Sequence, residues 1–175
     1  MGLGTANVIN SDGEMTVMFR SSVVFVLFLA VASAAFGQGT FKKEQYNKYS
    51  EFAKNGFSEV VTVSGPMKLI FLSGMGSEDG RTGDAQFQGD FQGQCRMAWQ
   101  KIVKLLGENG ATVTDIVKSV VYVTDIRMTP EMRKCRAEFF PPGAPLPVQT
   151  LLNVVQLARP GMLVEIDVIA AVPAK

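Results

Sequence analysis

Apolar side chains recur at two different spacings along the chain, and each spacing predicts one kind of element. Between residues 91 and 109 they recur every three or four positions, the spacing of one buried helix stripe. That stripe contains Cys95, Ala98, Trp99, Ile102, Leu105 and Leu106. A second helix is predicted to begin at Thr129, because Thr is a good N-cap and Pro130 suits the first turn. It must end before Pro141.

Short β-branched runs separated by turn formers predict the strands. Residues 59–64 and 68–73 are joined at Gly65 and Pro66 and are expected to form a hairpin. Three further strands are predicted at residues 116–124, 148–157 and 162–172. The predicted order is β-β-α-β-α-β-β, an α+β domain whose two helices cover one face of a sheet. The other face needs cover, which favours a homo-oligomer.

An apolar run near the N-terminus has the layout of a secretory signal peptide. Residues 23–35 carry no charge, Arg20 precedes them, and small residues follow as far as Gly37. The run is shorter than the roughly 20 residues of a membrane span. We therefore expect export to the periplasm or the medium, with cleavage after Gly37 or after Ala35 and no membrane attachment afterwards. A buried helix and an uncut anchor are the alternative interpretations.

The chain thus divides into three predicted segments. Residues 1–37 are a surplus N-terminal stretch plus the signal peptide, residues 38–55 a polar and basic arm, and residues 56–175 the folded domain. The stretch before the signal has acidic residues but no basic one, so a translation start at Met15 or Met18 would suit a signal better. The arm is expected to be a solvated leader, and a short helix is the alternative.

The amino-acid composition limits the catalytic groups and ligands that this protein can use. Hydrophobic residues make up 47% of the chain, enough for a packed core. The net charge of +1 gives no basic stripe for nucleic acid. The chain contains no histidine, which excludes a Ser-His-Asp triad, a Cys-His dyad and a His-ligated zinc site. Acid–base chemistry must therefore rest on carboxylates, Lys, Tyr, Cys, backbone groups or water, and neither a metal nor a cofactor is indicated.

The two cysteines, Cys95 and Cys135, both lie in the part predicted to be exported. An oxidising compartment makes a disulfide between them a candidate. The alternative, two buried free thiols, is favoured here because each cysteine falls on an apolar helix face.

Over residues 57–172 the chain resembles the RidA family, also called the YjgF family, of reactive-intermediate deaminases. The resemblance rests on several short segments in the same order rather than on one motif. These segments are Ser73-Gly74, Thr82-Gly83, Gln94-Cys95-Arg96, residues 115–118, Phe139-Phe140 and residues 165–170.

The resemblance implies a RidA-like, chorismate-mutase-like fold that assembles as a homotrimer. It also implies a small-molecule cleft at each subunit interface and the hydrolysis of imines or enamines. In active members an Arg binds the substrate carboxylate through a bidentate fork, a Glu positions the attacking water, and a Ser helps to hold the ligand.

Carried over residue by residue, the resemblance makes Glu165 the catalytic candidate and Ser73, Gln149 and Leu151 the substrate-binding candidates. Gln149 stands where the family has its Arg, and a neutral amide cannot replace that cation. We therefore expect a deaminase of altered specificity that acts on an imine or enamine without a carboxylate. The alternative is a non-catalytic ligand-binding or interaction module. RNA cleavage is not expected, because no basic patch with interleaved aromatic residues is present.

Overall fold

The computed structural model describes residues 39–48, 50–53 and 56–175, so the predicted signal peptide lies outside the described residues. Eight strands and helices follow one another in this part, with single 3-10 turns before β4 and before α2. They are β1 Lys42–Tyr46, β2 Val60–Ser64, β3 Met67–Met75, α1 Phe91–Glu108, β4 Ile116–Val123, α2 Thr129–Ala137, β5 Val148–Asn153 and β6 Val164–Pro173. No helix of the described part is long and apolar enough to cross a membrane.

Four strands form the main sheet in the order β3-β6-β4-β5. Strands β4 and β5 run parallel, and the other neighbours are antiparallel. Val121 of β4 lies between Ile166 of β6 and Leu151 of β5, which fixes the register at the centre. The predicted α+β class and the alternation of strands and helices are confirmed.

The core lies between one face of this sheet and the two helices. Along β6 every second residue from Val164 to Ala170 is almost fully buried, as expected for a strand covered on one face. The predicted stripe of α1 faces these residues, and Trp99 packs against the rings of Phe139 and Phe140 with centroids 6.0 and 5.5 Å away. Burial of this stripe therefore holds α1 on the sheet.

The predicted hairpin between residues 59–64 and 68–73 is wrong. Strand β2 pairs antiparallel with β1, in a separate two-stranded sheet, and β3 pairs with β6. Gly65, at φ +85°, redirects the chain between β2 and β3. A Cβ at this position would lie 2.5 Å from the carbonyl oxygen of Thr40, so the turn needs glycine.

The arm is also more ordered than a solvated leader, because residues 42–46 form β1. The Lys43 ammonium donates to the carbonyl oxygen of Thr114, and the Gln45 amide donates to that of Leu146 at 2.8 Å. Composition alone could not identify these two backbone acceptors, which lie 71 and 101 residues further along the chain.

The preference for free thiols is wrong as well, because the structure joins Cys95 and Cys135 in a disulfide. Both residues are fully buried, and the bridge links α1 to α2. The two apolar helix faces pack against each other and bring the Cα atoms to 6.3 Å, within the range that a disulfide can span. The apolar faces that suggested inert thiols are thus what places the sulfurs together.

We expect unreduced, denatured protein to show no thiol reactive to an alkylating agent, and reduced protein to show two. Closing a loop of 40 residues restricts the unfolded chain by about 4 kcal/mol in the chain-entropy model. Replacing both cysteines with alanine should therefore lower the free energy of unfolding by about 2–4 kcal/mol in urea titrations. Two alkylated thiols without reductant would contradict the bridge.

Candidate functional site

The predicted site residues lie on opposite faces of the main sheet. Gln149 pairs with the buried Ser119, and Leu151 packs against the core, so both belong to the face that carries the helices. Glu165 pairs with Tyr122 of β4. It alternates with the buried residues of β6, so its side chain belongs to the other face of the sheet. Within one protomer the sheet therefore separates the catalytic candidate from two of the three binding candidates.

Glu165 occupies a space that a glycine leaves open. A Cβ added to Gly74 would lie 1.9 Å from Glu165 Oε1, so only glycine allows this position of the carboxylate. The pairing of β3 with β6 shifts between Leu72 and Met75, which is a β-bulge at Ser73 and Gly74. The bulge thus brings the predicted Ser73-Gly74 turn beside the predicted Glu165, with Ser73 exposed.

The surroundings of Glu165 disfavour its negative charge. Partial burial raises the pKa of this carboxyl, and the nearby charges of Asp167 and Glu78 raise it further. Glu78 is itself paired with Lys101, whose ammonium lies 2.8 Å from Glu78 Oε1. A raised pKa makes a carboxyl better suited to taking up and returning a proton during catalysis.

Asp167 and Tyr122 complete this face of the sheet and were missed by the sequence analysis. The Tyr122 hydroxyl donates to Asp167 Oδ2 at 3.2 Å. The Asp167 carboxylate is the main cause of the raised pKa of Tyr122, followed by burial. The period of two along β6 would have placed Asp167 beside Glu165, whereas Tyr122 depends on the register of β4 and could not be found.

On the helix-covered face, Gln149 is held by an arginine that the sequence analysis also missed. Arg136 of α2 is only 6% exposed. Its Nη1 donates to Gln149 Oε1 at 2.9 Å and to the carbonyl oxygen of Gly56 at 2.6 Å. Burial lowers the pKa of Arg136, and the charge of Arg133 acts in the same direction. Arg136 follows Met132 by four residues and so shares its buried side of the helix, a signal that was available.

Arg136 lines an open cleft of about 620 Å³. Its walls combine apolar surface, from Phe57, Phe140 and the proline-rich loop at residues 141–146, with the polar side chains of Gln45, Asn47 and Ser58. The loop is fixed from β1 and from the segment before β2, because Gln45 and Ser58 both donate to the carbonyl oxygen of Leu146. The cleft is therefore a built feature with one buried cation in its wall.

A second hollow, of about 370 Å³, runs along β3 and includes Ser73 and Phe71. It is bounded on the other side by Leu105 and Asn109 of the α1 region. The predicted Ser73 thus lies in a hollow at the sheet edge rather than in the Arg136 cleft. Among the described residues, no group of three or more Cys, Asp or Glu side chains is placed to hold a metal ion.

A RidA-like protein has this arrangement: a sheet covered on one face by two helices, and a carboxylate beside a Ser-Gly bulge on the other face. The family model for Endoribonuclease L-PSP matches residues 48–172. The chain belongs to this family, which is also known as the YjgF or RidA family.

Individual relatives agree with this assignment. A RutC family protein of Pyrococcus abyssi (strain GE5 / Orsay) is 29% identical over 114 residues, which are 65% of this chain and 84% of the relative. A YjgF/YER057c/UK114 family member from Mycobacterium tuberculosis is 33% identical, with a TM-score of 0.50, over 75% of this chain and all of that one. The structure of E. coli TdcF with bound serine is 26% identical, with a TM-score of 0.52, over 58% of this chain and 79% of that one.

The raised pKa of Glu165 predicts a pH dependence of stability. The folded chain binds the Glu165 proton more readily than the unfolded chain does, so this contribution is complete below the ordinary value of 4.5. It is lost as the pH rises through the raised value. Glu165→Gln, which stays neutral, should therefore gain stability relative to wild type as the pH rises across that window, measured by urea unfolding at a series of pH values.

Glu138→Gln provides a control of opposite sign. The hydrogen bonds and charge of Arg96 lower the pKa of Glu138, so its contribution is present at higher pH and is lost as the pH falls. This variant should lose stability relative to wild type as the pH rises. If both variants changed in the same direction, the raised pKa of Glu165 would be wrong.

Proposed function

We propose that this protein is an exported, trimeric RidA-family hydrolase that converts imines or enamines to carbonyl compounds and ammonia. The observation that carries the proposal is the Glu165 carboxylate, held beside the Ser73-Gly74 bulge in the space left by Gly74. Its raised pKa suits a group that must both accept and donate a proton.

The chemistry requires one carboxyl group and one water. Glu165 accepts a proton from the water as its oxygen attacks the imine carbon, and the C=N π electrons become a lone pair on nitrogen. Glu165 returns the proton to that nitrogen, which gives a carbinolamine. Glu165 then carries the hydroxyl proton of this intermediate to the nitrogen as the C–N bond breaks, so that ammonia leaves and the C–O bond becomes a carbonyl group. One water is consumed and no cofactor is needed, so the absence of histidine from the chain is no obstacle.

The exposed face of the main sheet supports an assembly of several copies. Phe71 is 68% exposed, and Leu69 and Leu152 on the same face are also exposed. Large apolar side chains grouped on one side of a sheet indicate an interaction surface. In a trimer, Glu165 of one subunit could face the Arg136 cleft of a neighbour, which would resolve the separation seen within one protomer.

Two features support export. Residues 23–35 have the pattern of a signal peptide, and the Cys95–Cys135 disulfide is of a kind that persists in oxidising compartments. The second candidate function, a binding module without turnover, is favoured by Gln149 in place of the family's arginine. RNA cleavage has no such support, despite the family's description, because the chain is nearly neutral.

An imine-hydrolysis assay tests the enzymatic proposal. An amino-acid oxidase generates imines in place, and ammonia release is followed with and without the full chain. We expect the wild-type chain to accelerate release and Glu165→Gln to lower kcat by about 10²- to 10⁴-fold. Glu108→Gln, at the exposed end of α1, is the matched control and should leave kcat unchanged. Ligand-dependent thermal stabilisation without ammonia release would instead favour the binding module.

Light scattering tests the trimer. Phe71→Asp places a charge in the apolar face and should shift the protein from trimer to monomer, because burying an unpaired charge is costly. Val103→Asp is the control, since Val103 is also exposed but lies on α1, away from this face. A monomeric wild type, or a trimer that survives Phe71→Asp, would contradict the proposed interface.

A further inference from the structure

We propose that Arg136 forms a binding subsite for the carboxylate group of a small molecule that also carries an apolar group. The inference deepens the proposed function, because it assigns the substrate class of the same protein. It also reverses the expectation from Gln149, since a cation is present here although it comes from α2 rather than from β5.

The hydrogen bonds of Arg136 leave one side of its guanidinium available. Both of its hydrogen bonds start from Nη1 and end on Gln149 and Gly56. Nε and Nη2 have no acceptor among the described residues. Neither is one of the buried polar atoms that lack a partner in this part of the chain, so both retain some exposure to solvent. These two nitrogens form the planar fork that binds two carboxylate oxygens at once.

The charge of Arg136 has no counterion within the described residues. No Asp or Glu oxygen of the described part lies within 4.0 Å of Arg136 or of Arg133, the neighbouring cation one turn away. Arg133 instead lies over the ring of Phe52, with its guanidinium carbon 6.0 Å from the ring centre. A buried cation without an anion is unfavourable, so a bound anion would supply what one subunit leaves out. Glu165 of a neighbouring subunit is a poor substitute, because its surroundings disfavour its negative charge.

The walls of the cleft indicate the rest of the ligand. Phe57, Phe140 and the prolines of residues 141–146 offer apolar surface beside Arg136. The fork fits a carboxylate and a phosphate equally well, but one guanidinium balances the single charge of a carboxylate and leaves part of a phosphate dianion's charge unbalanced. Gln149 then has a defined part, because its Oε1 holds Nη1 and orients the fork. Gln149 is a positioning residue in this scheme and not the ligand-binding group.

Titration calorimetry on the full chain tests the subsite with phenylacetate and with phenylacetamide, its neutral analogue of the same shape. We expect phenylacetate to bind about 10- to 100-fold more tightly than the amide. Arg136→Gln should abolish that preference, and Arg136→Lys, which keeps the charge but not the fork, should retain only part of it. Arg127→Gln is the control, since Arg127 is exposed and already paired with Asp125, and should keep the full preference.

Three outcomes would overturn the subsite. They are equal affinity for the acid and the amide, no phenylacetate binding at about 10 mM, and a preference that survives Arg136→Gln. Inorganic phosphate binding more tightly than phenylacetate would also overturn the choice of a carboxylate.

If the Arg136 variants fail to fold, the wild-type chain still provides the test. In chain labelled with ¹⁵N-arginine, phenylacetate must shift the Arg136 Nε–H resonance and phenylacetamide must not. The same titration on Glu165→Gln separates the two proposals, because it measures binding without turnover. A silent hydrolysis assay with intact acid preference contradicts the proposed enzyme alone, and lost preference with intact hydrolysis contradicts the subsite alone.

Discussion

The alternation along β6 is the constraint on which the rest of the molecule depends. Its even-numbered residues from Val164 to Ala170 are buried under the helices, so Glu165 and Asp167 must lie on the other face. A shift of one residue would put both carboxylates into the apolar core and expose its aliphatic side chains. Strand β6 also lies between β3 and β4, so its register sets theirs. The position of the catalytic candidate is therefore a consequence of core packing.

Local backbone features then position the candidate functional groups within this register. The bulge at Ser73 and Gly74 inserts one residue into β3 opposite Asp167, and Gly74 leaves the volume that the Glu165 carboxylate occupies. On the helix side, the disulfide joins α1 to α2 at the residue before Arg136. Its guanidinium reaches Gln149 on β5. In both places a local geometric requirement, rather than a long motif, positions the functional group.

Periodicity was sufficient for elements that bury one continuous stripe, such as α1 and β6, because each residue's environment follows from its neighbours in sequence. It failed where partners lie far apart in sequence. The pairing of β1 with β2 depends on anchors such as Lys43 on Thr114, and Tyr122 meets Asp167 only through the register of two strands. Gln149 was placed by resemblance, but its contact with Arg136 required the packing of α2 on the sheet. The sequence analysis thus identified the loss of the family's arginine on β5 but not the neighbouring Arg136 on α2.

The separation of Glu165 from Arg136 by the sheet has a consequence for how catalysis would be organised. Proton transfer needs Glu165 beside the imine carbon, and binding of a carboxylated ligand needs the Arg136 fork, yet a small molecule cannot reach both faces of one sheet. A site that uses both groups must combine two subunits, so assembly would supply the alignment that raises effective concentration at the reacting atoms. Binding through Arg136 can then persist in a separated subunit, whereas turnover cannot. Affinity and catalysis in this protein would accordingly depend on different surfaces of the same strand-and-helix scaffold.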